Sequence, residues 1–153
     1  MMNFNHPYNE DKCIERLMNE YHKHNNLIVA FDFDNTIFDY HNDGGDYSDI
    51  IDILNLCHQL KFTLVLYTCE ISTKKLAWKI NWCQEHMGIK PDYVNSSPIL
   101  NNITSNSKIY YNILLDDRAG LNEAYSILVH VISNIEKEKE KGIYLESQWD
   151  KEK

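Results

Sequence analysis

The chain lacks the features that define several classes of protein. None of its hydrophobic runs approaches the roughly 18 residues of a membrane-spanning helix, so no such helix is expected. Its first residues contain neither the basic nor the apolar segment of a secretion signal, which predicts a cytoplasmic protein. With three prolines, five glycines and no Pro/Gly/Ser-rich stretch among 153 residues, no linker is visible, and we expect a single domain over residues 1–153.

Positive charge is also scarce, and the cysteines form no pattern. Lys and Arg number 15 against 23 Asp and Glu, a net charge of −8. Because proteins that bind nucleic acid through general electrostatic attraction are normally basic, this class is not expected. The four cysteines show no C-x-x-C spacing and no accompanying histidine cluster, so a zinc site is not expected either. Cys13, Cys57 and Cys83 fall among apolar helix positions and are expected in the core.

The remaining pattern alternates helices with short apolar strands. Apolar residues recur at helical spacing over residues 10–22, which predicts an extra N-terminal helix at 10–24. The core is expected over residues 27–135, and the charge run from residue 136 predicts a solvated C-terminal extension over 136–153. Predicted strands are 27–31, 62–67, 93–94 and 109–115; predicted helices are 48–60, capped by Ser48, then 72–87, ended by Gly88, and one beginning near Leu121. This alternation predicts an α/β protein with a parallel sheet.

Polar side chains follow three of the predicted strands. The first strand leads into Asp-Phe-Asp-Asn-Thr at 32–36, the second into Thr68, and the last into Asp-Asp-Arg at 116–118. The carboxyl ends of parallel strands meet at one edge of a sheet, so we expect these side chains to lie together. Two carboxylates about 4 Å apart repel by roughly 4 kcal/mol at an effective dielectric near 20, so such a pair needs a cation, a shared proton or open solvent, and four acids without a metal would repel one another. Oxygen-only ligands favour Mg²⁺.

In this order the motifs resemble those of the haloacid dehalogenase-like (HAD) superfamily. Its D-x-D-x-T motif corresponds to residues 32–36, its Thr or Ser to Thr68, its Lys to Lys108, and its acidic pair to residues 116–117. Residues 66–69 and 108–118 are also similar to a small capless branch found in bacteria and their phages. The resemblance covers about residues 27–135. It implies a three-layer α/β/α, Rossmann-like fold with a central, mainly parallel sheet and no cap domain.

The resemblance implies a Mg²⁺-dependent phosphohydrolase that forms an aspartyl phosphate. Asp32 would be the nucleophile, and Asp34 would act first as general acid and then as general base. Thr68 would donate a hydrogen bond to the phosphoryl oxygens. Lys108 would offset the clustered negative charge and hold Asp32 in place.

The resemblance also implies the ligands of the metal. They would be the carboxylate of Asp32, the backbone carbonyl of Asp34 and one acid of the last motif. Asp116 is the first choice for that acid, and Asp117 is the alternative ligand or a neighbour of the ligand shell. Asp117 also suits the N-cap of the following helix, since Asp is favoured at N-caps.

Four further motif residues form the expected substrate-binding set: Asn35, Thr36, Cys69 and Arg118. Asn35 and Thr36 could equally serve only to form a turn, and Arg118 could form a surface ion pair. Glu70 stands where the small branch commonly has Arg, which binds phosphate bidentately as Glu cannot. Arg118 would therefore carry more of the anion recognition.

The lysine of the third motif has alternatives as well. Lys108 could be an ordinary surface lysine, in which case Lys74 or Lys75 would take its role.

Trp78 and Trp82 lie opposite the apolar stripe of their predicted helix. They form either an exposed contact surface or a pair covered by the helix at 10–22.

The absence of a cap predicts an open site, or one covered by another subunit of a homo-oligomer, with the glycine-bearing loop at 39–49 as the local flap. The expected partner is a phosphorylated small molecule or nucleic-acid end, and no membrane. A polynucleotide 3′-phosphatase is one alternative function, favoured by the Asp-Asp-Arg sequence at 116–118. A catalytically silent phosphate- or partner-binding module is the other, and the presence of both Asp32 and Asp34 argues against it.

Overall fold

The structure, a computed structural model, describes residues 9–97 and 109–151, of which 143–151 are described by their helical backbone alone. These residues form four helices and four strands: α1 (Glu10–His24), β1 (Ile28–Phe31), α2 (Ser48–Gln59), β2 (Thr63–Leu66), α3 (Thr73–Met87), β3 (Tyr93–Val94), β4 (Ile113–Leu115) and α4 (Leu121–Lys151). Among the described residues, no helix is both long enough and apolar enough to cross a membrane.

The strands form one sheet in the order β3-β2-β1-β4, and every pair in it is parallel. The predicted α/β fold is therefore confirmed, and the arrangement is consistent with a Rossmann-like three-layer fold. β1 lies between two neighbours and is buried along its whole length, which explains its uninterrupted apolar sequence. In the described intervals after Thr36 and after Thr68, the connections to the next strand each contain one helix, and no separate cap is found there.

Alternate residues of the central strand serve two apolar clusters. Val29 and Phe31 face the larger one, to which all four helices contribute. Ile28 and Ala30 face the smaller one, where Val65 of β2 joins them. The alternation follows from the two-residue period of a strand, and it buries both faces of β1.

The register of the sheet brings three strand ends to the same level. Phe31, the last residue of β1, pairs with Leu66 of β2 and with Leu115 of β4. The next amides continue the pattern, because the Asp32 amide donates to the Leu115 carbonyl over 2.9 Å and the Tyr67 amide donates to the Phe31 carbonyl over 2.9 Å. The residues that follow these strands therefore emerge at one edge of the sheet.

The observed helix ends agree only in part with those predicted from the sequence. Gly88 ends α3, as predicted, and takes a left-handed conformation there, while Ser72 caps the start of the helix by accepting a hydrogen bond from the Lys75 amide. The prediction that Ser48 caps α2 is wrong. Tyr47 occupies the cap position, and the Asp46 carboxylate accepts the Ser48 amide over 2.9 Å. An acid two residues before the helix thus satisfies the amide that a serine cap would have left open.

The two tryptophans of α3 pack on the loop that follows β1. Both rings meet Phe33 and Phe38 edge to face, with ring centroids 5.3–5.9 Å apart. The loop after β1, rather than the N-terminal helix, therefore covers this pair, and α1 instead packs along α4. Trp78 keeps 50% of its surface exposed.

Candidate active site

A cavity of about 370 Å³ lies beyond the aligned ends of β1, β2 and β4. Of the residues predicted to form the site, eight line it: Asp32, Asp34, Asn35, Thr68, Cys69, Asp116, Asp117 and Arg118. Five others also line it: Tyr40, His41, Glu70, Ile71 and Lys79. A larger cavity of about 860 Å³ lies between α1 and the edge strand β4. We place the candidate site in the smaller one, because the only potential metal-binding cluster among the described residues lies there.

A tight turn after β1 projects the first two acids into the cavity. Phe33, between them, is fully buried in the core. The amides of the next residues fold back, since Phe38 donates to the Phe33 carbonyl over 3.1 Å and Asn35 donates to the Phe38 carbonyl over 2.8 Å. Asn35 has φ of +59°, a left-handed conformation that Asn tolerates better than most residues. Asn35 therefore forms the turn and also lines the cavity.

Thr36 is fully buried and does not line the cavity, so its predicted contact with substrate is not found. Its hydroxyl lies 3.3 Å from Oδ2 of Asp32, to which it can donate, and it accepts the Asp117 amide over 3.2 Å. Packing between the loops after β1 and β4 leaves this side chain no path to a ligand. Thr36 instead ties the first acidic motif to the last.

Three carboxylates form a cluster at this edge of the sheet. Asp32, Asp116 and Asp117 each offer an oxygen within 4.8 Å of the others. The pKa of Asp32 is raised from 3.8 to about 7, first by burial, then by the charge of Asp116, and also by the neighbouring Asp117. The carboxylates therefore repel one another, which is the condition that a bound cation would relieve.

The turn after β4 decides between two interpretations of its residues. The Asp116 carboxylate accepts the Arg118 amide over 2.9 Å, and the Asp116 carbonyl accepts the Ala119 amide over 3.0 Å. Because α4 begins only at Leu121, Asp117 is not its N-cap. Arg118 is exposed at the cavity and makes no ion pair with another described residue, so a surface ion pair does not account for it.

Lys79 of α3 is the main residue that the sequence did not reveal. Its side chain is buried, with 6% of the residue exposed, and its Nζ lies 3.1 Å from Oδ2 of Asp34 and 3.3 Å from Oγ1 of Thr68. Its position could have revealed it, because residue 79 lies on the same helical face as the apolar residues Leu76 and Cys83. A lysine on a buried face requires a polar partner.

The other predicted lysines do not reach this position in the described structure. Lys108 lies outside the described residues. Lys74 and Lys75, the predicted substitutes, are exposed and do not line the cavity.

Glu70 completes the surroundings of Lys79. Its Oε1 accepts the Ser72 amide over 3.1 Å, and its Oε2 lies 3.6 Å from Nζ of Lys79. The pKa of Glu70 is lowered, mainly by the hydrogen bond from Ser72 and further by the charges of Lys79 and Lys75. The residue that replaces the expected arginine therefore holds the lysine rather than a phosphate.

Thr68 is positioned from both sides. Its amide donates to Oδ1 of Asn95 over 2.8 Å, which ties it to the residue after β3. Its hydroxyl accepts from Lys79, so the hydroxyl proton remains available for a ligand in the cavity. Cys69 beside it is an exposed free thiol.

Comparison with known proteins supports the fold. No protein-family model and no curated protein matches the sequence. Among solved structures, a conserved protein from Bacteroides thetaiotaomicron is similar, with 26% sequence identity and a TM-score of 0.51 over 62% of this chain and 78% of that chain. This likeness agrees with the parallel α/β sheet, whereas membership of the HAD superfamily stays a prediction.

Proposed function

We propose that the protein is a Mg²⁺-dependent phosphohydrolase that acts through an aspartyl phosphate on Asp32. One observation carries this proposal. A cluster of three carboxylates, a lysine-bound aspartate and a threonine hydroxyl share one cavity at the carboxyl edge of a parallel sheet. This combination suits phosphoryl transfer, because the rate of that reaction depends mainly on positioning and charge stabilisation.

The donor set fits a hard divalent cation. Asp32, Asp116 and Asp117 offer only carboxylate oxygens, which Mg²⁺ prefers, and the resemblance adds the backbone carbonyl of Asp34. No thiol or imidazole joins the described cluster, which disfavours zinc. When bound, the cation would neutralise the repulsion among the acids, lower the pKa of Asp32 and so keep the nucleophile ionised at neutral pH.

Each protein side chain has a separate role in the proposed reaction. An oxygen of Asp32 attacks phosphorus, and the bond between phosphorus and the leaving alcohol breaks. Asp34 supplies the proton that the alcohol takes, and it later removes a proton from the water that hydrolyses the aspartyl phosphate. Thr68 donates its hydroxyl to a phosphoryl oxygen.

In the described part of the cavity, Lys79 supplies the positive charge expected of Lys108. It is directed at Asp34 rather than at Asp32, because its Nζ hydrogen-bonds to the Asp34 carboxylate. Its proposed role is to fix the acid–base residue and to hold the Thr68 hydroxyl in the orientation that leaves its proton free.

A nucleic-acid end is the second candidate substrate, and Arg118 is the observation that favours it. Arg118 is exposed at the cavity and has no ion-pair partner among the described residues. Its guanidinium is therefore free to bind a second phosphate, as the terminal nucleotides of a polynucleotide would present. The net charge of −8 restricts such binding to the terminus.

A phosphatase assay with and without Mg²⁺ tests the proposal. Substrates would include nucleotides, sugar phosphates, phosphopeptides and 3′-phosphorylated oligonucleotides. Turnover should need Mg²⁺ and should be lost in Asp32→Asn but retained in Asp52→Asn, an exposed acid of α2 outside the cavity. Phosphate binding without turnover of any ester would instead identify a silent binding module, and preference for the oligonucleotide would identify a 3′-phosphatase.

A further inference from the structure

We infer that the mouth of the candidate active site binds a flat, apolar ring on the alcohol side of the substrate. This inference rests on the proposed phosphohydrolase function and names its substrate class. The substrate would be a phosphate monoester whose alcohol bears a nucleobase or an aryl ring. The phosphoryl group would lie among the polar residues of the cavity floor, with the ring at the opening.

Apolar surface is concentrated at this opening. Ile71, with 96% of its surface exposed, and Tyr40, with 61% exposed, are the two most exposed large hydrophobic residues of the described chain. Both line the acidic cavity, although they belong to the separate loops that follow β2 and β1. Singly exposed apolar residues are common on proteins. Two of them beside one cavity that otherwise presents mainly polar groups indicate a ligand with an apolar part.

The backbone on both sides of Ile71 is held by hydrogen bonds of its neighbours. The carboxylate of Glu70 accepts the amide of Ser72, and this bond spans the isoleucine. Glu70 also lies against the buried Lys79, while Ser72 caps α3. The isoleucine is thus presented outward by a turn whose other contacts belong to the site.

The backbone around Tyr40 is also held by hydrogen bonds. Its amide donates to the Phe38 carbonyl over 3.0 Å, and the carboxylate of Asp39 accepts the Gly44 amide over 2.9 Å. Its ring meets the His41 ring edge to face, with centroids 5.1 Å apart, and both residues line the cavity. An aromatic pair and an aliphatic side chain lining one cavity favour a planar partner, because rings gain both burial and stacking there.

The size and polarity of the cavity agree with such a ligand. About 370 Å³ lies within the range of roughly 300–1,000 Å³ found for small-molecule sites. Such sites typically combine an apolar wall with a few convergent polar groups. Trp78, the next most exposed apolar residue, does not line the cavity and is not part of the inferred ring site.

Two matched substrate pairs test the inference. Adenosine 5′-monophosphate and ribose 5-phosphate share the same ester and differ in the base. 2-Phenylethyl phosphate and propyl phosphate are both primary alkyl esters and differ in the phenyl ring. We expect kcat/KM to be higher by about tenfold or more for the ring-bearing member of at least one pair, a difference of about 1.4 kcal/mol in transition-state stabilisation.

Variants of the two apolar residues connect this preference to the mouth of the cavity. Tyr40→Ala and Ile71→Ser should each reduce the ratio of kcat/KM within the pair toward one. Tyr110→Ala is the matched control, since Tyr110 is 37% exposed and lines the other cavity, and it should leave the ratio as in the wild type. The pair that shows the preference identifies the ring as a nucleobase or an aryl group. Equal kcat/KM within both pairs, or a preference that both variants retain, would overturn the inference.

Failure of the proposed function is distinguishable from failure of this inference. If no ester is hydrolysed, the phosphohydrolase proposal is wrong, and the same compounds are compared as ligands by isothermal titration calorimetry in Mg²⁺. Tighter binding of the ring-bearing member, weakened by Tyr40→Ala and Ile71→Ser, would support the ring site. Equal affinities within both pairs would overturn it.

Discussion

The ammonium group of Lys79 lies 3.1 Å from Oδ2 of Asp34, whereas Asp32, two residues earlier, lies among other acids. The two aspartates of one short motif therefore stand in opposite electrostatic environments. Burial and the charges of Asp116 and Asp117 raise the pKa of Asp32 to about 7. Asp32 thus lies where a metal ion and a phosphoryl group would be held, whereas Asp34 is held by Lys79 for its proposed role in proton transfer.

Replacing Lys79 by Met should lower kcat by at least about tenfold, because the acid–base residue and the Thr68 hydroxyl lose their common partner. Lys79→Arg should retain part of this activity, since it keeps the positive charge. Lys74→Met is the control, because Lys74 is an exposed lysine of the same helix. Steady-state kinetics with one phosphate ester measures all three variants, and wild-type kcat in Lys79→Met would refute the role.

Thr36→Val should weaken both the fold and the site. The substitution keeps the shape of the side chain but removes the hydroxyl that accepts the Asp117 amide and can donate to Asp32. The Asp117 amide is only partly buried, so leaving it without a partner should cost about 1 kcal/mol, the low end of the range for a buried donor, in the free energy of unfolding measured by urea denaturation. Thr36→Ser keeps the hydroxyl and should lose less. Equal stability of the valine and serine variants would show that the hydroxyl does not join the two motifs.

Asp32→Asn should make the metal-free protein more stable at neutral pH. Because the folded state raises the pKa of Asp32 from 3.8 to about 7, the ionised carboxylate is less favourable there than in the unfolded chain. The stability associated with this group is thus full below about pH 4 and is lost as the pH rises through 7. The advantage of the variant should accordingly appear between those values.

The size of this effect is limited by the partial exposure of Asp32. Solvent screening should keep it near 1 kcal/mol, which corresponds to about 2–4 °C in Tm for a chain of this size. Thermal denaturation in a chelator at pH 4.5 and pH 7.5 measures it, with Asp52→Asn as the control. Added Mg²⁺ should raise the Tm of the wild type more than that of Asp32→Asn. A wild-type protein that is the more stable of the two at pH 7.5 without metal would contradict the repulsion.

Much of the fold could be predicted because its signals are local. The continuous apolar run at β1 indicated a strand buried on both faces, and the order of strands and helices indicated a parallel sheet. The acids, Thr68 and Arg118 were predicted for the same reason. Each lies within a few residues of the end of a strand, and these strand ends meet at one edge of the sheet. The predicted Ser48 cap was wrong because α2 begins one residue earlier than expected: Tyr47 takes the cap position and Asp46 accepts the Ser48 amide, an arrangement that depends on the path of the loop.

The residues that surround the site are brought there by tertiary packing, so fewer of them could be predicted from the sequence. Lys79 reaches the cavity only because the buried face of α3 lies against the loop after β1, where Phe33 is 5.2 Å from its ammonium group. Thr36 matched the motif, but its burial beneath the last strand's loop could not be read from neighbouring residues. The same holds for Glu70, whose partner lies nine positions further along the chain.

Intact-mass spectrometry of acid-quenched Asp34→Asn, incubated with Mg²⁺ and an activated aryl phosphate, tests the proposed mechanism most directly. A good leaving group needs little protonation, so Asp32 should still be phosphorylated, whereas hydrolysis of the intermediate should stall without the base. We expect the mass of one phosphoryl group on Asp32, together with a loss of steady-state activity of about 10²-fold or more. Asp32→Asn should show neither adduct nor turnover. Full activity in either variant, or a phosphoryl group mapped to a residue other than Asp32, would contradict the mechanism.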